Sequence, residues 1–127
     1  MMKIGQTGAF KVRVDDTNTA EAMGSGSLSV FATPAMVAAM EAASVACVSG
    51  QLEKGMTTVG TRLSIEHIAA TPIGVDVTAT ATLAEVDGRR LVFEVTAEDT
   101  KGVIGKGEHE RFIVEEKRFL EKAEGRK

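Results

Sequence analysis

The sequence has 127 residues, of which 43% are hydrophobic and 26% are charged, and its formal net charge is −3. These values are ordinary for a globular domain, with no basic patch for nucleic acid and no apolar run long enough to span a membrane. One Cys excludes an internal disulfide and two His form no zinc spacing, so we expect one cytoplasmic domain over residues 1–127, without a metal site.

The first half of the chain predicts a strand, a loop and a long helix. Residues 9–14, "AFKVRV", alternate apolar and basic side chains, as a half-buried strand does. The segment "DDTNTAEAMGSGSLSV" is rich in Asp, Thr, Gly and Ser and predicts a flexible loop. Residues 33–48, "TPAMVAAMEAASVACV", predict a helix buried on most sides. Thr33 is expected as its N-cap, Pro34 as its first residue and Gly50 beyond its end.

The second half has the period of two that strands show. "TTVGTRLSIEHIAAT" is one strand, with one face formed by Val59, Thr61, Leu63, Ile65 and His67. "GVDVTATATLAEV" and "RRLVFEVTAED" flank an Asp87-Gly88 hairpin signal, and "VIGKGEHERFIVEE" is the last strand. The charged tail, from about residue 117, is expected to fray.

This order of elements predicts an α+β fold. Four antiparallel strands follow the helix as a meander, and the sheet curves around that single long helix. One helix cannot cover both faces of such a sheet, and an uncovered face favours self-association. We therefore expect a homodimer, with a dimer of dimers as a further possibility.

Glu41 is the one carboxylate of the apolar helix. An isolated charge among Ala, Met and Val is costly unless it has a partner or reaches water. A surface helix normally carries several charges, whereas this one carries one. The pattern therefore favours a functional carboxylate over a merely exposed one, suited to general acid or base chemistry.

His67 and Thr33 each have a structural interpretation beside a functional one. His67 shares its predicted face with Leu63 and Ile65, where a lone His is more often a core residue with a backbone partner. Thr33 is explained as a helix cap, but it also lies beside free backbone N–H groups that can stabilise an oxyanion. Periodicity alone leaves open whether either residue meets Glu41.

Three segments of the chain carry a family resemblance. "VFATPAMVAAMEAASV", "TVGTRLSIEHIAATPIGVDVTATATLAEVDGRRLVFEV" and "GKGEHERFIV" together resemble the fluoroacetyl-CoA thioesterase-like branch of the hotdog-fold thioesterases. The resemblance covers roughly residues 30–118. It implies the hotdog fold, a curved antiparallel sheet wrapped around one long central helix, in agreement with the order of elements above.

The resemblance also implies an activity, namely hydrolysis of an acyl-CoA thioester without a metal or any cofactor beyond the CoA of the substrate. The family's catalytic Thr, Glu and His fall on Thr33, Glu41 and His67, and its substrate-facing glycine falls on Gly60. Glu41 would then act as nucleophile or as base toward water, and His67 would stabilise charge or move a proton. Thr33 would attack the carbonyl or hold the water or the carboxylate in place.

Substrate contacts follow less directly. The family's lid segment corresponds to "AMGSGSLSVF", in which Phe31 is the one aromatic residue, so we expect Phe31 at the acyl group and a short- to medium-chain preference rather than fluoroacetyl alone. The CoA phosphates need cations, and Arg111 is assigned to substrate binding from the candidates Arg89, Arg90, Lys106, Arg111, Lys117 and Arg118. His109 has the same strand parity as Arg111 and is assigned to the sheet or the CoA approach.

Two other functions compete with the thioesterase. A hotdog hydratase or dehydratase acting on enoyl thioesters would place its His and acid differently, so the spacing of Thr33, Glu41 and His67 argues against it. A non-catalytic acyl-CoA binding module would not need all three polar residues. The presence of Thr33, Glu41 and His67 together is therefore the feature that distinguishes a thioesterase from a binding module.

Overall fold

The computed structural model describes residues 1–127, which form one antiparallel sheet and three helices. The elements in chain order are β1 Thr7–Arg13, α1 Ala20–Met23, α2 Thr33–Cys47, β2 Met56–His67, β3 Asp76–Asp87, β4 Arg90–Asp99, β5 Gly102–Glu115 and α3 Glu116–Glu124. The α+β class and the sheet around one long helix are confirmed. No helix combines the length and the apolar character that a membrane crossing requires.

The strand order corrects the predicted meander. It is β1-β3-β4-β5-β2, so β3, β4 and β5 are sequential neighbours, but β2 pairs with β5 at the far edge. The connection between β2 and β3 contains Pro72 and Gly74 and is longer than a hairpin turn, so it leads the chain across the sheet. Residue periodicity carries no information on which strand lies beside which.

The start of α2 differs from the prediction by one residue. Ala32 is the N-cap and Thr33 is the first helical residue, so Thr33 does not cap the helix. Extended backbone bonds set this boundary, since Phe31 N–H donates to the Thr71 carbonyl at 2.8 Å and Ala32 N–H donates to the Asn18 carbonyl at 2.9 Å. The hydroxyl of Thr33 is therefore free for another partner.

Two segments predicted as irregular are helical. In the expected loop, Thr19 Oγ1 accepts from the N–H of Ala22 at 3.2 Å and caps α1, which ends at Gly24 with φ of 70°. The expected frayed tail forms α3, which has no buried residue. Its Glu, Lys, Leu and Ala residues are good helix formers, and helix propensity outweighs charge here.

One side of α2 packs on the sheet and the other stays open. The buried side faces β1, β3 and β4 through Met36, Ala39, Met40 and Ala43. Helix and edge strand lie so close that a Cβ on Gly8 would stand 2.3 Å from the backbone N of Cys47. The opposite side is exposed, so the prediction of a helix buried on most sides is wrong for the single chain.

The exposed surfaces differ in polarity. The outer face of the sheet, which the sequence suggested as the contact between copies, carries Thr78, Glu94, Thr96 and Glu108, all exposed and polar. The open side of α2 is one of several exposed apolar surfaces, and its Val45 is 47% exposed. This side of α2 is therefore more apolar than the outer face of the sheet.

Candidate active site

A β-bulge in β2 decides which of its side chains face the helix. The pairing with β5 shifts register between Gly60 and Arg62. Before the bulge the even-numbered positions Thr58 and Gly60 face inward, and after it the odd-numbered Leu63, Ile65 and His67 do. The predicted single face is therefore wrong for Val59 and Thr61, because an unbroken period of two cannot represent the extra residue.

Thr33 and His67 form a direct pair. Thr33 Oγ1 lies 2.8 Å from His67 Nδ1, which joins the first residue of α2 to the last residue of β2. The other ring nitrogen, Nε2, is buried and has no protein partner. Burial lowers the pKa of His67, so the ring is neutral at pH 7 and able to accept a proton.

A cavity of about 290 Å³ borders this pair. α1 and the residues after it form one wall, and the residues that follow β2 form the other. Phe31 is almost wholly buried and also belongs to the hydrophobic core. The lining residues are Ala20, Ser25, Val30, Phe31, Thr33, His67, Ile68, Ala69 and Ala70.

Glu41 lies in a second polar cluster on the same helix. Its Oε2 is 3.4 Å from Arg111 Nη1 and 4.0 Å from His109 Nε2, and its side chain is 43% exposed. Its surroundings are thus cationic and partly open rather than apolar. At 1.5 Å per residue, Glu41 is about 12 Å from Thr33 along the helix axis. One chain therefore does not bring Glu41 to the Thr33–His67 pair.

Arg111 is buried and points toward the helix. Its Nε donates to Thr58 Oγ1 and its Nη2 to the Thr58 carbonyl, both at 2.9 Å, while Nη1 contacts Glu41. Burial lowers the pKa of Arg111 and the Glu41 carboxylate opposes that shift. The predicted role of Arg111 at the CoA phosphates stays a prediction, but each guanidinium nitrogen already has a partner within the chain.

Gly60 lies on β2 directly beneath the Glu41 carboxylate. A Cβ at this position would lie 2.9 Å from Glu41 Oε2, 3.1 Å from His109 Cε1 and 3.3 Å from Arg111 Nη1. Only glycine lets the strand approach these three groups at this distance.

The sequence did not single out Thr58 or His109 as site residues. His109 was recognised as sharing a face with Arg111, and the structure confirms that both are buried on the inner face. No sequence pattern indicated Thr58 as a site residue. The bulge places its side chain on the inner face of the sheet, whereas the extrapolated alternation places it on the outer face. A bulge has no sequence signature of its own beyond the glycine at position 60.

Comparisons with known proteins are consistent with this geometry. The sequence profile described as fluoroacetyl-CoA-specific thioesterase matches residues 14–117. The fluoroacetyl-CoA thioesterase of Streptantibioticus cattleyicolor is 46% identical over 90 residues, which are 71% of this chain and 65% of that protein. The match therefore spans less than two thirds of that relative's length.

Solved structures show the same fold over nearly the whole chain. The fluoroacetyl-CoA thioesterase FlK is 34% identical with a TM-score of 0.94, covering 100% of this chain and 98% of its own. A Thr-to-Ser variant of FlK in complex with acetyl-CoA is 35% identical with a TM-score of 0.93, covering 98% of each chain. A hot-dog-like protein from Thermanaerovibrio acidaminovorans is 25% identical with a TM-score of 0.88, covering 98% of this chain and 93% of its own. The fold is the hotdog fold.

Proposed function

Because the chain belongs to the fluoroacetyl-CoA-specific thioesterase family, we propose that it hydrolyses acyl-CoA thioesters to a free acid and CoA. The observation that carries the proposal is the 2.8 Å contact between Thr33 Oγ1 and His67 Nδ1 at the wall of the 290 Å³ cavity. A hydroxyl bonded to a neutral imidazole beside a cavity is an arrangement that supports acyl transfer.

The thioester carbonyl carbon is placed next to Thr33, with its oxygen toward the start of α2. Ala32 offers no side-chain cap there, so the N–H groups of Thr33 and Ala35 are available for the developing oxyanion, whereas Pro34 has none. The carbon–sulfur bond breaks as a carbon–oxygen bond forms, and the departing CoA thiolate takes up a proton. Side chains and backbone supply every group in this proposal.

His67 moves the proton in either of two routes. When Nε2 carries the ring hydrogen, Nδ1 accepts the proton of Thr33 Oγ1 as that oxygen attacks and forms an acyl-enzyme, and this proton passes to the departing thiolate. Nδ1 then takes a proton from a water that attacks the Thr33 ester, which releases the free acid and restores the hydroxyl of Thr33. Alternatively, His67 takes the proton of a water that Thr33 holds, and no acyl-enzyme forms. Mass spectrometry after rapid quenching distinguishes the routes, because only the first adds the acyl mass to the peptide containing Thr33.

Glu41 completes the site from a second copy of the chain. Nε2 of His67 has no partner, and Glu41 of the same chain is about 12 Å from Thr33. The open side of α2 carries Thr33, Val37 and Glu41. Two such helices packed antiparallel about Val37 would place Thr33 of each copy opposite Glu41 of the other, since a two-fold contact is reciprocal.

Mixing two inactive variants tests this arrangement. Thr33→Val and Glu41→Gln dimers, mixed after reversible unfolding, should regain about a quarter of wild-type activity, because half of the dimers are mixed and each has one intact site. A mixture as inactive as its parents would show that both residues act within one chain.

The size of the cavity favours small acyl groups. The cavity is broadly open to solvent and its volume of about 290 Å³ is just below the usual range of ligand pockets, while Ala, Val and Ile supply five of its nine lining residues. We propose short- to medium-chain acyl-CoA as the substrate. Thiol release from acetyl-, fluoroacetyl-, butyryl-, octanoyl- and palmitoyl-CoA tests this, with kcat/KM expected to be highest at or below the octanoyl ester. A maximum at palmitoyl-CoA would overturn the size argument, and binding without release would indicate a non-catalytic module.

A further inference from the structure

His109 lies directly beneath the Glu41 cluster and has no role in the steps above. It is 2% exposed, and both ring nitrogens have partners. Nδ1 lies 2.9 Å from the backbone carbonyl of Arg62, and Nε2 lies 3.1 Å from Nη1 of Arg111. β5 thus contributes a buried imidazole that bridges the bulge of β2 to the guanidinium.

These two partners fix the tautomer of the ring. A carbonyl oxygen only accepts, so Nδ1 of His109 must carry the hydrogen and donate it to Arg62. A guanidinium only donates, so Nε2 must present its lone pair to Arg111. The ring is therefore neutral. Burial lowers the pKa of His109 and the charge of Arg111 lowers it further, while the hydrogen bond to the Arg62 carbonyl and the charge of Glu41 partly oppose this shift.

The guanidinium of Arg111 is consequently held from two sides. Thr58 accepts from Nε and Nη2, which anchors one edge of the plane to β2. On the other edge Nη1 is shared between His109 Nε2 and Glu41 Oε2. Without the ring of His109, the Glu41 carboxylate at 3.4 Å would be the one acceptor on that edge.

We propose that His109 is a positioning residue for Glu41, acting through Arg111. The Nε2 lone pair holds Nη1 where it faces the Glu41 carboxylate, while Gly60 leaves room for that carboxylate against the strand. The inference rests on the proposed function only in taking Glu41 as catalytic. The series of contacts from His109 through Arg111 to Glu41 is observed in the structure and does not depend on that assumption.

Two substitutions of His109 distinguish the roles of its two ring nitrogens. His109→Gln places an amide oxygen near the position of Nε2 and keeps the acceptor for Arg111. His109→Asn reaches only the position of Nδ1 and keeps the donor to the Arg62 carbonyl. We expect kcat to fall roughly 10- to 100-fold in the Asn variant, as misplaced catalytic groups do, and His109→Gln to recover much of that loss, with KM little changed in both.

Equal activity of the Asn and Gln variants would overturn the proposal, provided that circular dichroism shows both folded, because the acceptor at Nε2 would then have no effect. A rise in KM with unchanged kcat would also overturn it, since that result would place His109 in substrate binding.

Nitrogen NMR of the His-labelled wild-type chain tests the geometry without any substrate. We expect the ring of His109 to be neutral, with the hydrogen on Nδ1, at pH 7. A ring that is charged, or that carries its hydrogen on Nε2, would overturn the proposal. This readout stays valid even if no acyl-CoA is hydrolysed, so failure of the inference and failure of the proposed function give different results.

Discussion

At the scale of single residues, the hydroxyl of Thr33 is the group closest to the proposed chemistry. Thr33→Val keeps the branched shape and removes the oxygen that lies 2.8 Å from His67 Nδ1. We expect kcat/KM to fall at least about 100-fold, the lower end of what a positioned proton-transfer group contributes. Thr33→Ser keeps the hydroxyl and is the matched control, expected to retain most of the activity. A Val variant as active as the Ser variant would remove Thr33 from the mechanism.

Gly60 gives a second test at this scale. In Gly60→Ala the new Cβ would stand 2.9 Å from Glu41 Oε2, so the carboxylate must move. We expect kcat to fall roughly 10- to 100-fold, because the partly exposed Glu41 side chain shifts away. The melting temperature should fall modestly, since the buried ring of His109 lies 3.1 Å from the new Cβ and also has to move. Gly125→Ala, at the end of α3 and away from the site, is the control. Unchanged kcat in Gly60→Ala would show that the position of Glu41 is unimportant.

The polar residues of the site were only partly predictable. Glu41 was conspicuous because a charge in an apolar helix needs a reason, and His67 because it fell on an apolar face. Their neighbours were harder to predict from the sequence. The inward position of Thr58 depends on the bulge, and the contacts of Arg111 depend on β5 lying beside β2. Residue type and spacing identify unusual residues in a sequence. The partners of those residues depend on which strands are neighbours in the sheet, and spacing does not give that order.

At the scale of elements, the contact between β1 and α2 fixes the helix on the sheet. A Cβ on Gly8 would lie 2.3 Å from the backbone N of Cys47, and two backbones have no flexible side chain to yield. We expect Gly8→Ala to lower the free energy of unfolding by about 1–3 kcal/mol or more, the usual cost of overpacking. Urea unfolding measures it. Ala9→Ser, on the outer face of the same strand, should change little, and equal effects of both would contradict the close packing.

The helices illustrate what local sequence does and does not specify. The composition of α2 predicted a helix, but backbone bonds of Phe31 and Ala32 to neighbouring segments moved its start past the expected cap. In α1 the cap at Thr19 and the left-handed Gly24 outweighed a loop-like composition. Boundaries therefore follow from hydrogen bonds that join distant segments, which a linear pattern does not contain.

At the scale of the whole molecule, the buried His109 and the partly buried His67 link stability to pH. Burial lowers the pKa of His67 and of His109 below the ordinary 6.5, so the folded chain binds fewer protons than the unfolded chain just below that pH. The free energy of unfolding should therefore be unaffected by these groups well above pH 6.5 and fall as the pH drops toward their folded pKa values.

His109→Gln tests this linkage, because it removes one of the two titrating groups. Each histidine contributes a slope of at most about 1.4 kcal/mol per pH unit. Between about pH 6.5 and pH 5, the variant should show a shallower pH dependence of urea unfolding than the wild type. Identical slopes would mean that His109 does not titrate with unfolding in this window.

The overall architecture was predictable to the level of class. Alternating strands after one apolar helix indicated a sheet around a helix, and the family resemblance specified the hotdog fold. The position of β2 beside β5 was not predictable, because it depends on a crossing connection. The exposed side of α2 is a property of the folded chain, and it is the surface that the proposed homodimer would cover.

The most direct test of the proposed thioesterase activity and of the role of Glu41 is the release of CoA thiol from a short acyl-CoA by the wild-type chain and by Glu41→Gln, measured in parallel. The substitution keeps the size of the side chain and removes its charge. We expect turnover by the wild type and a loss of roughly 100-fold or more in the variant, with CoA ester still bound. Equal turnover by both chains would contradict the role of Glu41, and no turnover by the wild type on any ester would contradict the proposed function itself.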